Sequence, residues 1–142
     1  MASLTLEQAQ TIVAAASRHA REKGFQPLAV VVLDARGVLK AFAAEDGTSL
    51  RREEIARGKA HGAMAFGLGS RALAKRAADQ PSFIAAVTHA VGGSLVPVPG
   101  GVLIRSGKEI VGAVGISGDN SDNDEAAALA GIAAAGLTGD PG

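Results

Sequence analysis

Two hairpin signals limit what this chain can fold into more than any other feature of its sequence. Residues 27–33, Pro-Leu-Ala-Val-Val-Val-Leu, form a β-branched run that ends in the turn composition Asp34-Ala35-Arg36-Gly37, and residues 38–44 resume as a second strand. Residues 102–105 and 109–116 flank Ser106-Gly107-Lys108 in the same way. A hairpin joins antiparallel neighbours, whereas parallel strands need a crossover of about a dozen residues or more. The predicted fold class is therefore α+β, an antiparallel sheet with helices packed against it. A doubly wound nucleotide-binding fold is excluded on the same ground, and neither GxGxxG nor a P-loop motif occurs.

The helices carry their own start and stop signals. Thr5 and Gln8 fit a capping box, Leu6, Ala9, Val13, Ala16 and Ala20 recur at helical spacing, and Gly24 suits a left-handed C-terminal cap, which predicts a first helix over 6–23. After a loop at 45–48, Ser49 is the expected cap of a middle helix bearing Ile55, Lys59, Gly62, Ala63 and Phe66 on one side. Its small residues Gly58, Ala60, Gly62 and Ala63 allow very close packing against its backbone. Short helices fit 71–78 and, after Pro81, 82–91. Residues 119–124 lead into an Ala-rich terminal helix capped by Ser121 or Asp122, and residues 137–142 read as a frayed, flexible tail.

Between these elements lies Gly-Gly-Ser-Leu-Val-Pro-Val-Pro-Gly-Gly at 92–101, with six of ten positions given to glycine or proline. Glycine permits close backbone approach and proline removes an amide donor, so the segment is a shaped extended passage outside any helix. It is either a tight packing corner or an edge that frames a pocket or a subunit contact.

The 142 residues fit one domain. Fourteen basic residues balance fourteen acidic ones, so no broad field favours nucleic acid or an anionic membrane. The absence of cysteine excludes disulfides, thiolate nucleophiles and cysteine-based metal sites. No basic segment followed by an apolar run opens the sequence, and no apolar run approaches the ~20 residues of a membrane span. A soluble, cytoplasmic protein is expected.

The segments LTLEQAQTIVAAA, VVVLDARGVLKAF, KAHGAMAFG, PGGVLIRSGKEIVGAVGISG and DNDEAAALAG occur in that order over nearly the whole chain. Together they resemble the GlcG/HbpS-like family of haem-degrading domains, related to the C-terminal domain of PduO. The resemblance implies a profilin-like fold with a five-stranded antiparallel sheet, assembly into dimers or larger rings, and haem binding in some members. It also implies that Pro99-Gly100-Gly101 precedes a strand, which makes the passage before it an extended edge.

Without cysteine, haem or metal ligation rests on the three histidines. His19, near Arg21 and Lys23, is either a solvated boundary residue or an axial ligand beside cations for the propionates. His61 sits where Gly62 and Ala63 leave room for a flat ligand, with Arg57 and Lys59 as sources of positive charge and Met64 as gap filler or soft ligand. His89 lies three residues before the glycine-rich passage. No pair of histidines has i, i+3 or i, i+4 spacing, so no local metal motif exists. The expected ligand pocket lies between the middle helix and the Gly100-Gly101 segment, with Lys59 contributing to it.

An enzyme of isomerase or lyase type is the alternative, with Glu125 or Asp124 as general base near His89, and Arg105 or Lys59 holding a substrate carboxylate. His89, Glu125 and Arg105 are its candidate catalytic residues. GxSxG is absent, so no nucleophile elbow supports covalent catalysis, and Ser94 and Ser117 read as loop hydrogen-bonders. The helix that follows Ser117-Gly118 offers free amides to a carboxylate, but Asp119, Asp122, Asp124 and Glu125 crowd that end. The Ala-rich terminal helix suits close packing between subunits, in keeping with a homo-oligomer.

Overall fold

The computed structural model describes residues 2–142. In chain order the elements are α1 (Leu6–Lys23), β1 (Ala29–Asp34), β2 (Leu39–Ala44), α2 (Arg52–Phe66), α3 (Ser70–Asp79), α4 (Pro81–Ala90), β3 (Gly101–Ser106), β4 (Glu109–Ser117), α5 (Ser121–Ala134) and β5 (Thr138–Asp140). The five strands form one sheet in the order β2-β1-β4-β3-β5, and every neighbouring pair is antiparallel. The α+β class and the five-stranded sheet are as expected.

Both hairpins form where turn chemistry places them. β1 is buried on both faces, and its alternation sorts the core: Val30 and Val32 join the layer under α1 and α5, while Ala29, Val31 and Leu33 join the layer under α2. One face buries Ile12, Val102, Val114, Ile116 and Ile132, and the other buries Leu103 and Ala113 beneath Ala56, Ala60 and Ala63. A third, smaller cluster of Leu73, Ile84 and Leu95 seats α3 and α4.

α1 begins and ends as its signals require. Gln8 donates its backbone N–H to the Thr5 hydroxyl at 3.1 Å, Thr5 N donates to Gln8 Oε1 at 3.0 Å, and Gly24 closes the helix at φ 71°. Three other local expectations are corrected. The middle helix starts at Arg52 with Arg51 at the cap position, and Ser49 accepts instead from Arg52 Nε at 3.2 Å. α5 is capped by Asn120, which accepts from Asn123 N at 2.9 Å, and not by Ser121 or Asp122. Residues 138–140 are the fifth strand and not part of a loose tail: Gly139 packs against Leu129, where a Cβ would come within 2.6 Å, and Asp140 accepts from Arg105 at 2.9 Å.

The passage at 92–101 is likewise no edge strand. Val96 N donates to Gly58 O at 3.1 Å, Leu95 is buried against Gly62, and the strand that follows lies between β4 and β5. It is a strap across the small-residue face of α2, which lacks the Cβ atoms that would hold it off.

One carboxylate ties the loop between α1 and β1 to the start of α5. Asp119 accepts from Gln26 N at 2.6 Å, Asn120 N at 2.7 Å and Asn123 Nδ2 at 2.8 Å, and the Gln26 bond, the largest cause, holds its pKa below the ordinary aspartate value. A carboxyl depressed in the folded state contributes stability that is present above the unfolded-state value and lost as pH falls through the folded one. Asp119→Asn should therefore lower stability at pH 7 and flatten the acid limb of the pH–stability curve, measured by urea unfolding from pH 7 to pH 2. An acid limb identical to the parent's would contradict this role.

Candidate functional site

The β1–β2 turn is the first wall of the site. Asp34 Oδ1 accepts from Arg36 N at 2.8 Å and Val38 N at 3.2 Å, and Oδ2 accepts from Arg36 Nη2 at 2.8 Å. Asp34 thereby shapes the turn and holds the Arg36 guanidinium, which in turn lowers the Asp34 pKa. Opposite it, α2 presents His61, Met64 and Ala65, the end of α4 contributes Val91, and the strap contributes Ser94. With Ala35, Arg36 and Gly37 these residues line an open cavity of about 440 Å³. Ser94 also borders an adjoining depression with Arg57, Glu53 and Gly92.

His61 bridges the two walls. Its Nε2 lies 3.1 Å from Gly37 O and its Nδ1 lies 2.8 Å from Ser94 Oγ. A carbonyl oxygen can only accept, so Nε2 carries the proton; in the neutral ring Nδ1 then holds the lone pair, and Ser94 donates to it. The backbone of the hairpin thus selects one tautomer and leaves Nδ1 as the donor atom at the cavity wall.

The remaining candidates have different surroundings. Lys59 is buried at 3% exposure, and its Nζ donates to Ile116 O at 2.8 Å and to Asp124 Oδ2 at 3.2 Å. Burial pushes the Lys59 pKa down and the Asp124 pKa up, and their pairing opposes both shifts. Gly100 and Gly101 line this internal brace: a Cβ on Gly100 would come within 2.8 Å of Lys59 Nζ, and Gly101 N donates to Ser70 Oγ at 2.6 Å. These three residues face the interior, where they clamp α2 onto the sheet, and not the cavity beside His61.

Glu125 accepts from Arg71 Nη2 at 2.7 Å, and Arg105 donates to Asp140 at 2.9 Å and to Lys108 O at 3.0 Å. His89 is exposed near the end of α4. Among the described residues no hydrogen bond joins His89, Glu125 and Arg105. His19 is half-buried on α1, edge-on to Phe25 with ring centroids 5.7 Å apart.

Of the histidines, His61 is the one that the structure places on the lining of this cavity. Its partners Gly37 and Ser94, and the neighbouring Arg36, read in the sequence only as turn and loop residues. They stand 24, 33 and 25 residues from it, and only the packing of the hairpin and the strap against α2 unites them. No group of three or more potential metal ligands occurs among the described residues, and no helix among them is long and apolar enough to cross a membrane.

The family model described as haem degrading protein HbpS-like matches residues 4–133, and the chain belongs to that family. Its structure is similar to that of HbpS, with 29% sequence identity, a TM-score of 0.81, and coverage of 94% of this chain and 90% of that one. It is also similar to PduOC in a complex with heme, at 24% identity and a TM-score of 0.86 over 96% of this chain and 97% of that one. Klebsiella pneumoniae protein ORFY gives 21% identity and a TM-score of 0.86 over 96% and 93% of the two chains. The last two likenesses concern the fold. No curated protein matches the sequence.

Proposed function

We propose that this protein binds haem in the cavity between α2 and the β1–β2 turn, where His61 Nδ1 would be the donor atom to iron. The observation that carries this is the Nε2–H···O=C bond from His61 to Gly37. A metal-ligating histidine characteristically donates its other ring N–H to a carbonyl or carboxylate, which orients the ring and raises the basicity of the donor nitrogen. Membership of the HbpS-like family and the similarity to a heme complex of PduOC favour the same ligand.

The lining fits the group in three further respects. Ala35, Ala65, Met64 and Val91 offer apolar contact to a porphyrin face. Arg36, anchored by Asp34, offers a fixed guanidinium to a propionate. The cavity volume of about 440 Å³ lies in the range of small-molecule sites, roughly 300–1,000 Å³. Bound haem would supply a porphyrin-held iron, while the chain would supply the donor nitrogen of His61 and the Arg36 guanidinium for a propionate. Haem holding is favoured over acid–base turnover because Glu125 and Arg105 are each tied to another side chain.

Titration of the purified protein with haemin should give a saturable one-to-one shift of the Soret band. His61→Ala should remove that shift, whereas His19→Ala and His89→Ala should retain it. Outer-shell partners alone are worth about 10- to 100-fold in metal affinity, so loss of the ligand itself should cost at least as much. A His61→Ala variant with the parent's spectrum and affinity would overturn the assignment.

A further inference from the structure

We propose that the Ser94 hydroxyl competes with iron for His61 Nδ1 and so limits how tightly this site holds haem, an inference that rests on the axial role of His61 given above. An imidazole nitrogen has one lone pair in the ring plane. It accepts a hydrogen bond or ligates a metal, but does not do both. The Gly37 carbonyl occupies Nε2 as a proton acceptor, which leaves Nδ1 as the ligating atom, and Nδ1 is the atom to which Ser94 donates at 2.8 Å. Haem uptake therefore begins by breaking a hydrogen bond internal to the protein.

Ser94 is held in position for this competition by its backbone. Leu95 N donates to Gly93 O at 3.1 Å, an i to i+2 bond that makes Ser94 the central residue of a three-residue turn. On one side Leu95 is buried against Gly62 of α2, the residue next to His61. The turn is thus fastened to the same helix that carries the imidazole, and the hydroxyl leaves Nδ1 by side-chain rotation, without displacement of the strap. Ser94 is a positioning residue whose bond keeps the ring oriented and its lone pair masked until iron replaces it.

The test compares haemin with iron-free protoporphyrin IX, which has the same ring and carboxylates but no metal to contend for Nδ1. Ser94→Ala should tighten haemin binding by about 2- to 10-fold, the range expected when one neutral hydrogen bond no longer has to be broken. Ser94→Thr, which keeps the hydroxyl, should bind haemin like the parent. Protoporphyrin IX should bind the parent and Ser94→Ala equally. In the porphyrin-free parent, side-chain 15N shifts should show His61 protonated on Nε2. If Ser94→Ala binds haemin no more tightly than the parent while His61→Ala still abolishes the ligated spectrum, the competition is refuted and the axial ligand stands. An equal gain for protoporphyrin IX would likewise refute it, since the effect would then be one of room and not of the lone pair. A His61→Ala protein with an unchanged haemin spectrum would overturn both assignments.

Discussion

Lys59→Met is expected to destabilise the fold by about 3–5 kcal/mol, the usual cost of removing one partner from a buried ion pair. The reason lies in what remains. Asp124 is 1% exposed, and without Lys59 its carboxylate keeps one strong partner, the Asp119 N–H at 2.9 Å, with no compensating charge. The Ile116 carbonyl, to which Lys59 donates at 2.8 Å, loses the same donor. In the variant, burial acts on Asp124 unopposed, so its folded-state pKa rises further above the unfolded value. A group raised in this way binds its proton more tightly when folded, so stability is lost as pH rises through the folded value. The deficit of Lys59→Met should therefore shrink toward acid pH. A double variant, Lys59→Met with Asp124→Leu, should recover most of the loss, because it removes both charges together. Urea unfolding of the three proteins at pH 7 and pH 5 measures this; a single-variant loss below about 1 kcal/mol would show that the brace is not structural.

Gly115→Ala is the second large effect. Gly115 lies on β4 beneath α2, and an added Cβ would overlap the Ala56 carbonyl and come within 3.0 Å of the Ala60 Cβ. Both obstacles belong to the rigid part of the helix, so the strain cannot be relieved by turning a flexible side chain. Overpacking of this kind costs about 3 kcal/mol, which for a chain of this length lowers the thermal midpoint by roughly 10 °C. Displacing α2 also moves His61 relative to the Gly37 carbonyl on the hairpin, so haemin affinity should fall together with stability. Calorimetry and haemin titration of the same preparation test both, and a midpoint within about 2 °C of the parent's would mean that the helix shifts freely.

What could be read from the sequence was whatever depends on neighbours along the chain. The capping box at Thr5 and Gln8, the left-handed cap at Gly24 and the two turns at 34–37 and 106–108 involve residues no more than a few positions apart, and each forms as its composition requires. Elements whose ends answer to distant partners were less legible. Leu-Thr-Gly-Asp-Pro-Gly has the composition of a loose end, yet Arg105 and the groove beside Leu129 draw it into a strand. Asp124 has the composition of a helix-start acid, yet Lys59, 65 residues earlier, takes it into the core.

The candidate site divides along the same line. The sequence offered His19, His61 and His89 together as candidate ligands, and of these His61 is on the cavity. Lys59, Gly100 and Gly101 stood out for equally good local reasons and are instead a buried clamp. Charge and glycine content show that a position is unusual but not which way it faces.

By itself, then, the sequence determined the α+β class, the antiparallel hairpins, the first helix and the family, because periodicity, caps and turns act over a few residues and motif order is read directly. The tertiary structure decided the fifth strand, the Lys59–Asp124 brace and the joining of His61 to Gly37 and Ser94. Those depend on which surfaces meet when α2 settles onto the sheet, and that contact is governed by burial and by the missing Cβ atoms of glycines far apart in the chain.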